Sequence, residues 1–371
     1  MRKKIRILIF MLFPLTLIIN YLASKFPSFI ETYYTRKINK FTVQILSNIS
    51  GLFTFSIYEL IIYLLIVGII TFLVYCFILF IRFKYKFFIF LKKSLLNILS
   101  FISISYFLFI LLWGINYNKT PLKYVLLKEY NDFDNININY NVEDLKNLYN
   151  FLIIKTNESR CNVREDINGI MKLNTNYVGV IERANIGFNK ISHIIPNLDG
   201  NYSNVKYVLS SNLMCYTGIT GIYFPFTGEA NINISTLDMS IPSTTLHEMA
   251  HQRGYASEDE ANFISYLACI NHTDTDFIYS GYKLALTHTA STLKRIDYDS
   301  YLELTKQLSN DVINDINANN KFWEKYDGKI NDISNKFNDS YLKSNGVNEG
   351  NKSYGKMVDL LLTYYKLNNT L

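Results

Sequence analysis

The chain has 371 residues, of which 49% are hydrophobic, and a formal net charge of +6. Residues 1–117 carry 13 basic and 2 acidic side chains, a net charge of +11, whereas residues 118–371 carry 24 and 29, a net charge of −5. The larger part therefore has no basic surface for nucleic acid, and we exclude a nucleic-acid partner. The composition predicts a membrane anchor over 1–117 and a second domain over 118–371.

Three apolar stretches in the first part are long enough to cross a bilayer, which takes about 20 residues. They cover about 7–23, 57–81 and 94–114. The first follows a basic N-terminus and has no small-residue cleavage site after it, so we interpret it as an uncleaved anchor. Basic residues also fill 82–93, and the positive-inside rule places both basic segments in the cytoplasm. The sequence predicts a multi-pass protein of the cytoplasmic membrane with residues 118–371 outside.

The remaining segments predict a mixed outer domain. Aromatic and basic residues alternate between the first two spans, so we expect this segment to lie along the outer membrane interface. In the second part, periodicity and turn residues predict the following elements: an irregular connector over 118–140, helices over 142–156 and 164–192, a small sheet between 201 and 236 with an edge strand at 229–235, and three or four helices after 273.

The strongest functional signal is the run Thr244-Thr245-Leu246-His247-Glu248-Met249-Ala250-His251, which holds two of the five histidines. On a helix, positions four apart share one face, so His247 and His251 can bind a single metal ion. Glu248 is then placed to act as general base on a water molecule at that ion. This is the zinc-hydrolase arrangement H-E-x-x-H, and it predicts bound Zn²⁺. The alternative is a surface helix whose histidines fall in register by chance.

A catalytic zinc ion takes three protein ligands and leaves one position open. Ser257 followed by Glu260 predicts a capping box at the start of the next helix. If Glu260 folds back onto that cap, Glu258 is free to serve as the third ligand, and Glu260 is the alternative ligand or a neighbour of the site. Asn262, one turn beyond Glu258, is predicted to hydrogen-bond a ligand histidine. Both acids can instead serve only to complement the helix dipole.

A helix with H-E-x-x-H followed by a helix that opens Glu258-Asp259-Glu260-Ala261-Asn262-Phe263 resembles the gluzincin metallopeptidases. The resemblance implies that Glu258 is the third ligand and that Asn262 matches the Asp/Asn position of the family. Glu258 lies only seven positions after His251, a shorter spacing than most gluzincins use. A metzincin assignment fails because Ser257 stands where the third histidine belongs. The implied fold class is mainly α, with three N-terminal transmembrane helices followed by an α+β zincin-like domain of the gluzincin type with a small sheet.

Longer stretches, namely 218–231, HQRGYASEDEANF (251–263) and Ser353-Tyr354-Gly355-Lys356, resemble an uncharacterised bacterial family of membrane-anchored proteins of this length. The resemblance implies a zinc peptidase and is silent on its substrate. Tyr354 is a candidate electrophile, because zinc peptidases often use a phenol in that role. His193 is expected to be structural. His272 and His288 are expected to be packed or solvent-facing, and the alternative for either is a position in the cleft where it stabilises an oxyanion. Cys161, Cys215 and Cys269 form an odd set that allows one disulfide.

The leading functional prediction is a membrane-tethered zinc metallopeptidase that cleaves a peptide bond with Glu248 as general base. Its expected partners are the lipid bilayer and a peptide or envelope substrate. One alternative is a non-proteolytic zinc hydrolase acting on a cell-envelope amide. Another is a binding or scaffold protein with structural zinc, which the intact Glu248 disfavours, because a structural site has no use for a general base.

Overall fold

The computed structural model describes residues 2–129, 140–344 and 355–369. The protein is mainly helical, with one three-stranded sheet and one short hairpin. The N-terminal part contains α1 (Arg2–Lys25), α2 (Pro27–Phe29), a π-helical segment (Ile30–Asn39), α3 (Lys40–Ser50), α4 (Ile57–Arg82), α5 (Lys84–Leu112) and a 3-10 turn (Gly114–Asn118). Three helices, α1, α4 and α5, are long and apolar enough to cross a membrane, as predicted. Helix α5 begins ten residues before the predicted span, because its basic first turns continue the helix beyond the apolar stretch.

The three long helices run in alternating directions. Pairs of residues in contact join α1 to α5 in parallel order: Arg6 with Asn97, Phe13 with Tyr106, and Asn20 with Asn118 just beyond α5. Phe80 of α4 packs on Phe87 of α5, at the short connection between these two antiparallel helices. The N-terminus and the α4–α5 connection therefore lie at one end of the helices, and the rest of the chain lies at the other.

The segment between α1 and α4 has one apolar exposed face and one face packed on the protein. On α3, the side chains of Phe41, Ile45 and Ile49 follow one another at one-turn spacing and are 67%, 43% and 56% exposed. Val43 and Ser47 on the opposite face are buried. An amphipathic helix next to membrane spans has this pattern when it lies in the bilayer interface, which is where the sequence analysis places it.

The second part begins with two helices, α6 (Leu122–Glu129) and α7 (Val142–Arg160). Helix α6 shows that the connector over 118–140, which was predicted to be irregular, is partly helical. Residues 130–139 lie outside the described residues. Helix α7 starts at a capping box, in which the Asn141 side chain accepts from the Asp144 amide and Asp144 accepts from the Asn141 amide.

The helix predicted over 164–192 is wrong. A hairpin of β1 (Arg164–Glu165) and β2 (Met171–Lys172) comes first, and two short helices follow, α8 (Tyr177–Arg183) and α9 (Asn185–Ile191). The apolar spacing did not reveal the turn. There the Asp166 carboxylate accepts from the amides of Asn168 and Ile170, and Gly169 adopts a φ of +71°.

The remaining elements form the sheet and the helices around the site. They are β3 (Lys206–Tyr207), α10 (Ser211–Cys215), β4 (Gly221–Phe224), β5 (Glu229–Ile232), a 3-10 turn (Asp238–Ser240), α11 (Ile241–Gln252), α12 (Glu258–Ile270), α13 (Thr275–Ile296), α14 (Tyr298–Thr305), α15 (Asn310–Glu324), α16 (Lys329–Ser344) and α17 (Lys356–Asn369). The predicted small sheet is confirmed, and five helices rather than three or four follow residue 273 within the described residues. All four cysteines are free thiols.

The strand order is β3-β5-β4, with β3 parallel and β4 antiparallel to β5. The prediction of an edge strand at 229–235 is therefore wrong, since β5 is central and β4 forms an edge. The polar residues that suggested an exposed face are buried and hold the start of α4. Glu229 accepts from the amides of Ile57 and Tyr58 and pairs with Lys206, and Asn231 accepts from the hydroxyl of Ser56.

Helix α12 lies in the centre of the second part, between α11 and α13, and is buried along nearly its whole length. Its apolar residues, such as Phe263 and Leu267, belong to the main hydrophobic core. The hydroxyl of Ser265 donates to the main-chain oxygen of Ser243 on α11 at 2.6 Å. This buried packing fixes the position of α12 relative to the helix that carries the H-E-x-x-H motif.

Candidate metal centre

Helix α11 carries the motif, and its end is defined by residues of the run HQRGY (251–255). Gly254 has a φ of +87°, a conformation that suits glycine directly after a helix. The Arg253 guanidinium is buried and donates to the main-chain oxygens of Leu198 and Met249. The Gln252 amide donates to the main-chain oxygen of Gly228 next to β5. These bonds fix the turn between α11 and α12.

The turn brings one side chain of α12 against both motif histidines. The Nε2 of His247 lies 3.2 Å from one Glu258 carboxylate oxygen, and the Nε2 of His251 lies 3.5 Å from the other. The three ligand atoms all lie within 4.8 Å of one another. Within the described parts of the chain, no other group of three His, Cys, Asp or Glu side chains has this geometry. Two imidazoles and a carboxylate form the donor set of one class of catalytic zinc site.

The orientation of His251 suits a ligand. Its Nδ1 lies 2.7 Å from the main-chain oxygen of Tyr255, so this nitrogen donates there and Nε2 faces Glu258. Burial alone lowers the pKa of His251, but the neighbouring Glu258 carboxylate outweighs burial and raises it to about 9. In turn, the two imidazoles overcome the burial of Glu258 and hold the pKa of its carboxyl below the usual value. The Glu258 carboxylate thus favours positive charge at the imidazole beside it.

Glu248 is a buried carboxylate beside this cluster. It is 4% exposed, and its Oε2 has no hydrogen-bond partner within the described structure. Burial raises the pKa of Glu248 to about 7, while the charges of His247 and His251 oppose this rise. A β-carbon added at Gly221 would lie 2.5–2.8 Å from three atoms of the Glu248 side chain, so edge strand β4 approaches Glu248 closely at its glycine.

The two acids at the start of α12 point to different surroundings. The predicted capping box is absent, since the Ser257 side chain makes no cap hydrogen bond. The Glu260 carboxylate instead accepts from the Leu122 amide at 2.6 Å and pairs with Lys119 at 3.1 Å, outside the histidine cluster. Glu260 therefore ties the connector before α6 to α12, and Glu258 is the acid that the structure brings to the histidines.

A cavity of about 390 Å³ opens beside the cluster. His247, Glu258 and Asn262 line it, together with Lys283 and His288 of α13. The predicted hydrogen bond from Asn262 to a ligand histidine does not occur among the described residues; its side chain faces the cavity. His288 thus shares the cavity with the cluster.

The other predicted residues lie elsewhere. His193 is exposed. His272 is buried, and its ring nitrogens form hydrogen bonds with the main chain of Arg183 and Asp274. The candidate electrophile Tyr354 lies outside the described residues.

Sequence reasoning missed three residues of this site. The ring of Trp113, directly after α5, contacts His251, and Gly221 packs on Glu248. Lys283 lines the cavity from a helix that carries no recognisable motif. Trp113 ends the third apolar stretch and Gly221 belongs to the stretch 218–231, so both were visible as members of larger patterns. Nothing in the sequence pairs them with α11.

The site therefore belongs to the class of two histidines and a glutamate beside an unpaired acid, on a mainly helical protein with three helices able to span a membrane. The chain is a member of a family of proteins of unknown function, DUF3810, whose model matches residues 34–362. No curated protein and no solved structure matches the chain.

Proposed function

We propose that this protein is a membrane-anchored zinc metallopeptidase of the gluzincin type. The observation that carries the proposal is the meeting of His247, His251 and Glu258 beside the buried, unpaired carboxylate of Glu248. A structural zinc site needs only the ligands. An acid that is desolvated, unpaired and adjacent to them has a stabilising partner only when a proton donor such as water enters, and this favours a catalytic site over a structural one.

Three side chains would hold the ion: His247 and His251 through Nε2, and Glu258 through its carboxylate. A zinc ion in such a site acts as a Lewis acid and lowers the pKa of water to about 7. The bond from His251 to the Tyr255 carbonyl keeps the correct imidazole nitrogen directed at the ion. The fit rests on the donor set and the convergence of the ligand atoms.

Glu248 acts as the general base in this proposal. Its raised pKa suits a group that accepts a proton from water near neutral pH and then delivers it to the leaving amine. The glycine at 221 leaves the space that the Glu248 side chain occupies, because a β-carbon at this position would overlap with it.

Strand β4 is the proposed site for the peptide backbone. In the register with β5, the main chain of residues 220, 222 and 224 faces the neighbouring strand. The main-chain amide and carbonyl of Gly221 and Tyr223 face the other edge of β4, where no described strand pairs with it. An extended peptide can pair with those groups as an added strand. Thr220, at the start of this strand, lines the cavity next to His247, so a bound peptide would pass the cluster.

The proposed localisation is the cytoplasmic membrane, with the N-terminus inside and the site outside. Trp113 follows the third candidate span directly and contacts His251, so the cluster lies close to the end of a membrane helix. The exposed apolar side chains of α3 support the same position. We infer that the enzyme acts on peptide segments near the bilayer surface.

The test is the substitution Glu248→Gln in the full-length protein, which keeps size and hydrogen-bonding capacity but removes the basic carboxylate. Membranes from cells expressing the wild-type or the variant protein are compared for peptides by mass spectrometry, and zinc is measured in both purified proteins. We expect equal zinc content and a loss of cleavage of about 10²–10⁴-fold in the variant. Glu143→Gln, at an exposed acid on α7, is the matched control. Equal cleavage by Glu248→Gln would exclude Glu248 as the base.

A further inference from the structure

One charged side chain in the cavity has no role in the proposed chemistry. Lys283 of α13 is 9% exposed and lines the cavity that also contains His247 and Glu258. Among the described residues, its ammonium group makes no hydrogen bond and no ion pair. A buried cation without a partner is costly, and proteins usually pair or neutralise such groups. A lysine kept in this state beside a candidate catalytic centre is a candidate for ligand binding.

One nearby acid, Asp315, does not provide the missing partner. Asp315 of α15 lies close enough to influence the charge of Lys283. Its carboxylate is already satisfied by three other groups: the Arg160 guanidinium at 2.8 Å, the Tyr279 hydroxyl at 2.6 Å and the Met171 amide at 2.9 Å. Arg160, which also pairs with Glu165 at 3.3 Å, forms the direct ion pair with this carboxylate, so Lys283 has no ion-pair partner of its own among the described residues.

The charges around the cavity favour an anionic ligand. A divalent ion would be balanced by the carboxylates of Glu258 and Glu248. Lys283 then has no ion-pair partner among the described residues, and His288, whose imidazole also lines the cavity, adds no negative charge. Thr287 and Trp323 complete this wall with a hydroxyl and an aromatic surface.

We propose that Lys283 binds an anionic group of the substrate, a carboxylate or a phosphate, in the cavity next to the metal cluster. The proposal rests on the proposed function and narrows its substrate class to peptides or amides that carry a negative charge close to the bond that is cleaved. An ammonium group in a partly desolvated cavity forms charge-assisted hydrogen bonds with such oxygens, which are stronger than neutral ones.

Trp323 makes a binding measurement possible, because the chain has two tryptophans and Trp323 lines the same cavity as Lys283. Full-length protein in detergent is titrated with N-acetylglycinate, methyl phosphate and the neutral N-acetylglycinamide while tryptophan fluorescence is recorded. Trp323→Phe identifies the part of the signal that comes from the cavity. Comparison of the two anions separates a carboxylate site from a phosphate site.

We expect saturable binding of at least one anion and none of the neutral amide. Lys283→Met should weaken anion binding roughly 10- to 100-fold, the range for loss of a hydrogen bond to a charged group. Lys283→Arg should keep binding within a few-fold, and it serves as the second variant if Lys283→Met folds poorly. Lys294→Met, an exposed lysine on the same helix, is the matched control and should bind as the wild type does.

Each titration is repeated on protein stripped of metal, because anions also bind zinc directly. The proposal is overturned if Lys283→Met binds the anions as tightly as the wild type, with or without metal, or if the neutral amide binds equally well. Binding without cleavage is measured here, so a failure of the peptidase proposal in the Glu248→Gln comparison leaves this outcome readable on its own.

Discussion

The ring of Trp113 lies edge-on to the ring of His251, with their centroids 5.7 Å apart. Trp113 directly follows the third candidate membrane span, and His251 is a candidate metal ligand. The same neighbourhood holds a second contact, because a β-carbon at Gly254 would lie 3.1–3.4 Å from Thr35, Asn39 and Asn116 of the membrane-proximal segments. The membrane-proximal segments and the candidate metal cluster are therefore packed together, and removal of residues 1–117 would expose the side of the cluster that Trp113 covers.

Removal of one metal ligand tests the cluster directly. His247→Ala, His251→Ala and Glu258→Ala should each weaken zinc binding more than the about 10–100-fold typical of changes to a ligand's hydrogen-bond partner. Glu260→Ala is the matched control, because its carboxylate bonds Lys119 and the Leu122 amide instead of the histidines. Zinc is measured by elemental analysis of full-length protein at fixed free zinc. Loss of zinc in Glu260→Ala with retention in Glu258→Ala would contradict the assignment.

The pairing of His247 with His251 was predictable because four residues make about one helical turn, and local spacing alone fixes that geometry. The role of Glu260 could not be predicted from the sequence. Its partners, Lys119 and Leu122, lie about 140 positions earlier in the chain, and a capping box is a local pattern that such a distant partner overrides. The sequence therefore favoured Glu258 through an assumption about Glu260 that the structure does not show.

The position of β5 illustrates the same limit in the sheet. Alternating polar residues usually indicate a strand with one face in water. Here the polar residues Glu229 and Asn231 face the beginning of α4, a candidate membrane helix, where the Glu229 carboxylate accepts from the free amides of Ile57 and Tyr58. Alternating polar and apolar residues indicate that the two faces of a strand differ, but they do not indicate which elements pack on each face. The apolar spans were predictable because their length and purity allow few other structures.

The substitution Gly221→Ala should affect Glu248 without unfolding the protein. The added methyl group would lie 2.5–2.8 Å from Oε1, Cγ and Cδ of Glu248, so this side chain, rather than fixed backbone, must shift. We expect zinc content to be unchanged and cleavage to fall at least about ten-fold, because a misplaced base transfers protons poorly. Gly68→Ala is the control, since nothing lies within 4 Å of a β-carbon there. Normal cleavage by Gly221→Ala would show that the strand does not position Glu248.

Membrane orientation can be tested with the natural cysteines. Cys161 is exposed on the second part of the chain, whereas Cys215 and Cys269 are buried. An impermeant maleimide should label intact spheroplasts at Cys161, and Cys161→Ser should remove this label. A cysteine introduced at Phe83, between α4 and α5, should react only after the membrane is permeabilised. Labelling of Phe83→Cys but not of Cys161 in intact spheroplasts would reverse the proposed orientation.

The last prediction concerns the decrease in the free energy of unfolding that the buried charge of Lys283 causes. Burial lowers the pKa of its ammonium group to about 8, although Asp315 opposes the effect. The unfolded chain has the usual lysine pKa of about 10.4, so between pH 8 and 10.4 the unfolded state binds more protons and the wild-type protein gains stability as pH rises. Below pH 8 both states are protonated, and the full cost of the buried charge remains.

Lys283→Met keeps the volume of the side chain and removes the charge. It should raise the free energy of unfolding below pH 8 by on the order of 1–4 kcal/mol, the range for replacing buried ionic groups by apolar ones. The advantage should shrink toward pH 10, where the wild-type lysine is largely neutral. Nearby acids, such as Asp315 and Glu258, are present in both proteins, so only their interaction with the Lys283 charge differs between them. Thermal unfolding of both full-length proteins in detergent at pH 7 and pH 10, with Lys294→Met as control, measures the difference. An advantage of equal size at both pH values would mean that the charge of Lys283 is already compensated, which would also remove the reason to expect an anion beside it.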